Sequence, residues 1–465
     1  MRLVALLPLL LVGVLAQNPL ANYTVFNFTS FVDNYGYTGD TFNMRYFVND
    51  QYFTGKAILF YCGNEGAIEM FIESSGFLPI AAQKLGAVLV FAEHRYFGES
   101  MPFGSASFAS ASNMKYLSPH QAMADYAYLL SYIVDMYGDA PVVVTGGSYG
   151  AMLAAWFRLK YPHLADISYA ASAPIFHVPQ TVEPEEYNQI ISGDYAQVDQ
   201  NCYNVIQHGF LRLASMIKNS ANYYQLQNLF ETCEYVNSPS VAAYLPQWLY
   251  NAYEYMAMTN YPYATNFLSP MPGWPVTYVC DNFILQETTN SPDLAVLQAM
   301  KNAANVYYNF SGGLECNEII QDYDNDLGQE GWDYLACTTL VLPIAADGVN
   351  DMFLPNPWVY STYAANCQTR FQRPPQPLYV QTFFGASNQA MNFSSLIYAN
   401  QMIFTNGRLD PWFSGAVVES ANPGIEVFNL GYGAHHLDLR SPNPLDPMEV
   451  SIIRGAIITT IQSWL

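Results

Sequence analysis

Short apolar runs separated by helical segments restrict the possible folds of this chain more than any other feature of its sequence. Residues 56–61, 87–92 and 141–145 are such runs, and each is rich in branched or aromatic side chains. Strands that are apolar throughout, rather than alternating with polar residues, are typical of parallel sheets that helices cover on both faces. The sequence therefore predicts an α/β fold.

The helices between these runs are indicated by periodicity and by end signals. Residues 78–85 have helical spacing and would connect the first two strands. Ser118 precedes Pro119, and Gln121 follows three residues after Ser118. We predict that Ser118 caps a helix that runs to Tyr137, because a hydroxyl before a first-turn proline is a common start signal.

The middle of the chain differs in composition from both ends. From about residue 181 to residue 376, Tyr, Asn and Gln are frequent and long apolar runs are absent. Strand-like runs return at 400–405 and 425–430, and 448–465 has a helical pattern. We therefore predict an α/β domain in two parts, residues 17–180 and 377–465, with a mostly helical cap inserted at residues 181–376.

The first sixteen residues are typical of a secretory signal peptide. They combine Arg2, an apolar stretch and a small residue, Ala16, at the expected cleavage point. No later stretch keeps about 20 apolar residues, the length that spans a bilayer, so we expect no membrane span. Lys and Arg total 16 against 38 Asp and Glu, a net charge of -22, which argues against nucleic-acid binding because phosphate contacts need a basic surface.

Glycosylation motifs and cysteines also fit the secretory pathway. Asn22, Asn27, Asn309 and Asn392 each begin an N-glycosylation motif. Cys62 stands alone early in the chain and six cysteines cluster late, so the odd count predicts three disulfides and one free thiol. No pair has CxxC spacing, and we predict neither a metal site nor a cofactor. The acidic balance suits a lysosome or acidic vacuole, and an extracellular location fits equally well.

Ser148 lies in a motif that places a nucleophile on a sharp turn. Residues 146–150 read Gly-Gly-Ser-Tyr-Gly, directly after the strand at 141–145 and before a helical run at 151–161. A strand-turn-helix with small flanking residues lifts the serine oxygen to a helix N-terminus, where the helix dipole favours developing negative charge. A glycine-rich turn with an incidental serine is the alternative interpretation.

Two later residues could activate this serine. A hydroxyl is a weak nucleophile unless a base takes its proton, and an acidic residue best holds that base in the right tautomer. Asp410 follows the strand at 400–405, and His435, next to His436, follows the strand at 425–430. Both lie where parallel strands end, the edge at which ligands bind in open α/β sheets.

Residues near two earlier strand ends have more than one interpretation. The backbone N–H of Tyr149 could stabilise an oxyanion, and a second N–H could come from Asn64 or Glu65, which glycines flank. The simpler alternative for that second loop is a plain turn. We interpret Cys62 as a small buried residue rather than a nucleophile, and we expect His94 to hold a loop rather than to take part in the chemistry.

Five segments together resemble one family of serine peptidases. They are residues 63–66, 91–100, 146–158, 406–412 and 434–440. In this order they are similar to the family that includes lysosomal prolyl carboxypeptidase, dipeptidyl peptidase II and the thymus-specific serine protease. The resemblance implies an α/β-hydrolase fold with a helical cap, and a catalytic triad of Ser148, Asp410 and His435, with His435 favoured over His436.

The resemblance also implies a disulfide pattern and a substrate class. It pairs Cys202 with Cys280, Cys233 with Cys316 and Cys337 with Cys367. The family cleaves peptides beside proline, which requires a short apolar pocket for the ring. Met152, Met352 and Trp412 are candidates for its walls, although each could equally be an ordinary core residue.

The chain departs from the family pattern at two positions. Ala151 stands where the family usually has a glycine, and Asn34 stands where a histidine is usual. Neither change obviously abolishes catalysis, because Ala151 adds only a methyl group and Asn34 is far from the triad in sequence.

The direction of attack stays open at the level of sequence. A carboxypeptidase binds a substrate carboxylate, which would favour an Arg or Lys in the cap, whereas a dipeptidyl peptidase binds an ammonium, which would favour an Asp or Glu. Asp322, Asp324 and Asp326 lie in the cap, and we interpret them as a solvated loop. The resemblance makes a homodimer plausible. A secreted carboxylesterase or lipase with the same triad is the alternative function, because the fold alone does not set the substrate.

Overall fold

The computed structural model describes residues 18–179, 181–320, 328–385, 396 and 399–465. The predicted signal peptide, Asn392 and the acidic residues 322, 324 and 326 lie outside these ranges. Among the described residues no helix is long and apolar enough to cross a membrane.

The described residues form one eight-stranded sheet. Its strands are β1 (Thr24–Phe31), β2 (Thr41–Asn49), β3 (Ala57–Cys62), β4 (Ala87–Ala92), β5 (Val142–Gly147), β6 (Ile167–Ala171), β7 (Met402–Gly407) and β8 (Ile425–Leu430). Their order across the sheet is β1-β2-β4-β3-β5-β6-β7-β8. The two pairs that involve β2 are antiparallel, and the strands from β4 to β8 are parallel.

Helices connect the strands and fill the long segment between β6 and β7. The first group is α1 (Ile68–Ser74), α2 (Phe77–Leu85), α3 (Ala111–Met114), α4 (Pro119–Tyr137) and α5 (Tyr149–Lys160). Between β6 and β7 lie α6 (Glu186–Val198), α7 (Gln200–Met216), α8 (Tyr223–Phe230), α9 (Pro239–Ala242), α10 (Tyr244–Met258), α11 (Pro275–Asn282), α12 (Asp293–Tyr308), α13 (Gln329–Leu335), α14 (Tyr360–Phe371) and α15 (Tyr379–Phe384). Helix α16 (Met448–Trp464) closes the chain.

The parallel strands are covered on both faces, as unbroken apolar runs require. Along β3, Ile58 and Phe60 join the core that contains α4 and α5, whereas Leu59 and Tyr61 join the core that contains α2 and α16. Successive side chains of a strand point to opposite faces, so a strand buried on both sides is apolar at every position. The predicted α/β-hydrolase fold with a helical insertion is confirmed.

The helices between β6 and β7 pack in two ways. Helices α6 to α12 have a core of their own, in which Trp248 of α10 and Cys202 of α7 are buried. Side chains further along, including Tyr334 of α13 and Phe384 of α15, join the α4 and α5 core of the sheet. The insertion therefore contacts the sheet through its second part and also through the α10–α11 connection, whose Tyr261 and Phe267 join the α2 and α16 core.

Six cysteines pair within or beside these helices. Disulfides join Cys202 to Cys280, Cys233 to Cys316 and Cys337 to Cys367, the pairing that the resemblance implies. Cys62 is the free cysteine of the described residues, and it is buried. Burial also raises the pKa of its thiol, so it is a poor nucleophile.

Some local expectations differ from the structure. Helix α4 begins at Pro119 as predicted, but the Ser118 side chain makes no capping hydrogen bond, and its hydroxyl is buried without a partner among the described residues. Gln121 bonds the Asp33 side chain and the Asn34 backbone instead of the helix start. The first-turn N–H of His120 instead donates to the hydroxyl of Tyr379 at 3.3 Å, so a tertiary contact takes the place of the local cap.

The candidate glycosylation sites differ in accessibility. Asn22 and Asn27 are exposed, and Asn27 lies on the edge strand β1. Asn309 is half-buried. Its side-chain NH2 group donates to the Leu314 carbonyl, and its side-chain oxygen accepts from the Leu314 N–H.

Candidate active site

Ser148 lies at the turn between β5 and α5, in a strained backbone conformation. Its φ is +57° and its ψ is −127°, a combination that L-residues rarely adopt and that is typical of nucleophile elbows. The turn needs its glycines. A Cβ on Gly146 would lie 2.3 Å from the backbone of Gly150, and a Cβ on Gly150 would lie 2.6 Å from the carbonyl oxygen of Cys62.

Asp410 and His435 meet at the carboxyl ends of β7 and β8. Their side chains are buried, and His435 Nδ1 lies 2.7 Å from Asp410 Oδ2. The other carboxylate oxygen, Oδ1, accepts the backbone N–H of Trp412 at 3.0 Å. The aspartate is therefore held by two contacts that fix which oxygen faces the imidazole.

The cap also holds the His435 loop in place. The His435 N–H donates to the carbonyl of Met258, the last residue of α10, and the Tyr261 hydroxyl donates to the His435 carbonyl. Because the histidine is bonded to the cap at its backbone and to Asp410 at its ring, its orientation depends on both parts of the molecule.

His436 has a different environment from His435. Its Nδ1 is buried without a partner among the described residues, and its N–H donates to Ser172 Oγ. Burial, and then the positive charges of His435 and Arg440, hold its pKa well below the usual value. A neutral imidazole without a carboxylate partner matches the preference for His435 in the triad.

Ser148 and His435 line one cavity of about 270 Å³ between the sheet and the cap. Most of its wall is apolar and includes Trp332 and Trp412. Glu65 and Glu254 also line it, but no lysine or arginine does so among the described residues. The cationic carboxylate partner that would mark a carboxypeptidase is thus missing from this part of the wall.

The predicted oxyanion donors either follow Ser148 in the chain or line the same cavity. Helix α5 begins at Tyr149, so the Tyr149 N–H belongs to the first turn, where N–H groups lack partners within the helix. Asn64 and Glu65 line the cavity beside Ser148. The Asn64 side chain accepts the Tyr61 hydroxyl at 3.1 Å, which fixes the loop against β3.

His94 contacts the residue after the serine rather than the serine itself. Its Nε2 lies 3.2 Å from the Tyr149 hydroxyl, and burial lowers its pKa to about 3. A neutral, buried histidine that bonds Tyr149 agrees with a role in holding the loops.

The three candidate walls of the proline pocket occupy different places. Trp412 lines the cavity and packs edge-to-face on Tyr187. Met152 and Met352 are fully buried, in the α5 core and the cap core respectively, and neither is among the residues that line the cavity.

The two departures from the family pattern lie in the core and in a buried polar network. Ala151 is fully buried in the α5 core. The Asn34 side chain donates to the carboxylate of Asp125, which also pairs with the buried guanidinium of Arg95. Asn34 therefore belongs to a structural network behind the sheet.

Sequence reasoning missed Glu254 of α10. Its carboxylate accepts the Tyr187 hydroxyl at 2.7 Å and faces the same cavity as Ser148. Burial raises its pKa to about 7. Helical spacing alone places it on the polar face of α10, and no signal in the sequence shows that this face points at the cavity.

Comparisons with known proteins identify the family of this chain. Residues 32–457 match the model of the family described as serine carboxypeptidase S28. The human lysosomal Pro-X carboxypeptidase is 37% identical over 450 residues, which cover 96% of this chain and 88% of the human protein. In Caenorhabditis elegans, prolyl carboxy peptidase like protein 5 is 34% identical over 458 residues, 93% of this chain and 88% of the relative.

A solved acetylester hydrolase from Corynebacterium glutamicum shows a much weaker likeness. It aligns over 95% of this chain and 96% of its own, with 11% identity and a TM-score of 0.43. The sequence matches, in contrast, span most of both chains, and the chain belongs to the serine carboxypeptidase S28 family of serine peptidases.

Proposed function

We propose that this protein is a serine exopeptidase that removes the C-terminal residue after proline, with Ser148 as nucleophile, His435 as base and Asp410 as orienting carboxylate. The observation that carries the proposal is the 2.7 Å contact of His435 Nδ1 with Asp410, in a cavity that Ser148 also lines. Pro-X carboxypeptidases among the relatives support the same reaction and substrate class.

In the proposed mechanism, Ser148 Oγ attacks the carbonyl carbon of the scissile bond and His435 takes the serine proton. Asp410 holds the proton on His435 Nδ1 and stabilises the imidazolium that forms. His435 then protonates the leaving amine, the C–N bond breaks, and an acyl-enzyme remains. Water, deprotonated by His435, hydrolyses the ester and releases the shortened peptide.

The negative charge of the tetrahedral intermediate needs fixed donors. We assign the first to the N–H of Tyr149 and the second to the loop of Asn64 and Glu65. Donors of this kind act strongly because they are already oriented before the charge develops. The strained φ of Ser148 directs the same turn at the cavity.

We assign the proline pocket to the apolar wall of the cavity, with Trp412 as its central member. Its ring is fixed on two sides, by Tyr187 at 4.8 Å and by His177 at 5.2 Å between ring centroids. A rigid aromatic wall suits a rigid substrate ring, because little conformational freedom is lost on binding.

Compartment, domain organisation and assembly complete the proposal. Three disulfides support passage through an oxidising compartment, and the lysosomal relatives favour an acidic destination. Residues 181–376 act as the cap that closes over the serine, and the protein functions as a homodimer.

The test compares three substrates with the wild type and with Ser148→Ala. They are an N-blocked peptide ending in Pro-Phe, a free-amine Xaa-Pro-reporter and a short ester, each at pH 5 and pH 7. Ser74→Ala is the matched control, because Ser74 also lines the cavity. We expect cleavage of the Pro-Phe peptide, its loss in Ser148→Ala and its retention in Ser74→Ala.

Other outcomes would reject the proposal in distinct ways. Cleavage of the free-amine substrate alone would identify a dipeptidyl peptidase, and ester turnover alone would identify an esterase. Full activity of Ser148→Ala would remove the nucleophile assignment.

A further inference from the structure

The cavity presents an electrostatic difficulty for a carboxypeptidase. The substrate of a carboxypeptidase ends in a carboxylate. Among the described residues, however, the cavity is lined by two carboxyl groups, those of Glu65 and Glu254, and its other ionisable side chains are tyrosines and the two histidines. An ionised carboxylate would repel the substrate terminus, whereas a protonated carboxyl group can donate a hydrogen bond to it. The protonation state of these residues therefore decides what the cavity can bind.

Glu254 is oriented so that one of its oxygens is available. The Tyr187 hydroxyl donates to Oε1 at 2.7 Å, and Tyr187 is itself fixed by its edge-to-face contact with Trp412. No hydrogen bond to Oε2 and no ion pair of Glu254 is found in the part of the chain that the structure describes. A proton on Oε2 would thus be free to face a ligand.

The surroundings of Glu254 favour its neutral form. The titratable groups that interact with it are tyrosines: Tyr187 on α6, Tyr250 and Tyr255 on its own helix and Tyr307 on α12. Burial raises the pKa of all four, so they are uncharged at acidic and neutral pH. With no cation beside it, Glu254 has its pKa raised by burial to about 7.

Glu65 adds to the same effect from the opposite loop. Burial raises its pKa, and its Oε2 is buried without a hydrogen-bond partner among the described residues. The attraction of His435, which lowers the pKa of Glu65, is weaker than the effect of burial, so the Glu65 carboxyl group is also harder to ionise than an exposed one. The cavity is therefore least repulsive to a substrate carboxylate at acidic pH.

We propose that neutral Glu254 recognises the C-terminal carboxylate of the substrate, donating a hydrogen bond from Oε2 while Tyr187 holds Oε1. This inference rests on the proposed function and identifies the group that binds the substrate terminus. Ionisation of Glu254 removes the donor and places a negative charge against the substrate terminus. Binding of free-acid peptides therefore weakens as pH rises through about 7, while the chemistry at Ser148 is not directly changed.

Two substitutions at Glu254 separate this role from ordinary packing. Glu254→Gln keeps the shape and supplies an uncharged N–H donor at every pH, whereas Glu254→Ala removes the donor. Kinetics are measured from pH 5 to pH 8.5 on an N-blocked peptide ending in Pro-Phe and on the same peptide with a C-terminal amide. Asn251→Ala, on the same helix but outside the Ser148 cavity, is the matched control.

For the wild type we expect KM for the free acid to rise by about tenfold per pH unit above the pKa of Glu254, as for loss of one bound proton. Glu254→Gln should abolish that rise and keep KM near the pH 5 value of the wild type. Glu254→Ala should raise KM at pH 5 by about ten- to a hundredfold, the effect of losing a hydrogen bond to a charged group. The peptide amide should show none of these changes.

Contrary results are separable from failure of the proposed function. If the wild type cleaves the free acid but Glu254→Gln is as impaired as Glu254→Ala, the neutral-donor inference is wrong. If Glu254→Gln instead loses turnover of a free-amine Xaa-Pro-reporter, Glu254 binds an ammonium and the inference is also wrong. If the wild type cleaves no peptide acid although a fluorophosphonate labels Ser148, the proposed carboxypeptidase function itself fails.

Discussion

Replacing Asp410 by asparagine tests the triad through a single hydrogen bond. In the structure Oδ1 of Asp410 accepts the Trp412 N–H and Oδ2 accepts from His435 Nδ1. If the amide oxygen of the new asparagine still accepts from the Trp412 N–H, the amide NH2 group faces His435 Nδ1. Nδ1 must then accept a hydrogen bond, so the imidazole proton moves to Nε2, the atom that must act as the base. Asp410→Asn should therefore fold normally and turn over slowly.

The size of the expected fall in kcat/KM follows from the two hydrogen bonds that the Asp410 carboxylate accepts. In the other orientation, in which the amide oxygen accepts from His435 Nδ1, the Trp412 N–H loses its acceptor, which costs about 1 to 3 kcal/mol. Even then the neutral amide no longer stabilises the imidazolium, a loss of about 1.5 to 3 kcal/mol for a hydrogen bond to a charged group. Together these predict a fall of about 10²- to 10⁴-fold in kcat/KM.

The assay measures kcat/KM on the Pro-Phe peptide, together with the rate of fluorophosphonate labelling and the melting temperature. Asp438→Asn is the matched control, because Asp438 is equally buried, lies on the loop that carries His435, and accepts a hydrogen bond from the Tyr169 hydroxyl that an amide oxygen can also accept. A value for Asp410→Asn within tenfold of the wild type, with the control unchanged, would refute the reasoning.

Three further predictions concern stability and the serine turn. Removing the Cys233–Cys316 disulfide, whose cysteines are 83 residues apart, should lower the free energy of unfolding by about 4.5 kcal/mol on the chain-entropy relation, as measured by denaturant unfolding. Burial lowers the pKa of His177 to about 4, so the unfolded state binds the extra proton between about pH 4 and pH 6.5 and stability falls as pH drops through that range. His177→Gln should flatten this slope by up to about 1.4 kcal/mol per pH unit, and an unchanged slope would contradict it. Gly150→Ala places a Cβ 2.6 Å from the Cys62 carbonyl oxygen. We therefore expect the free energy of unfolding to fall by about 1 to 3 kcal/mol and kcat/KM to fall as well. Wild-type values for both quantities would show that the turn tolerates a side chain.

The central strands were predictable because burial on both faces leaves a simple pattern. β4 has the predicted bounds, and β3 and β5 differ from them by one or two residues. β1 was not predicted, because it is an edge strand whose residues are mostly exposed and include polar ones. β6 was not predicted either, because its five residues, Ile167–Ala171, include a serine and two alanines and so lack a continuous run of branched or aromatic side chains.

The predicted triad residues could be located from the sequence because their positions depend on the same strand pattern. Ser148, Asp410 and His435 each follow a parallel strand, so the strand pattern itself brings them to one edge of the sheet. Ser118 shows the limit of such local reasoning. Its sequence context is that of a helix cap, but Gln121 is engaged by Asp33 and Asn34, residues that are distant in sequence.

Glu254 could not be found from sequence, and the reason is geometric. The apolar stripe of α10, which includes Trp248 and Tyr253, is buried in the core of the cap, and helical periodicity then assigns Glu254 to the opposite, polar face. On an isolated helix that face meets water, where a glutamate is ionised and unremarkable. Here the cap turns the face toward Ser148 and His435, so the same residue loses much of its contact with water and its pKa rises. The chemical character of this carboxyl group is thus set by the docking of the cap on the sheet, a long-range contact that no local sequence pattern encodes.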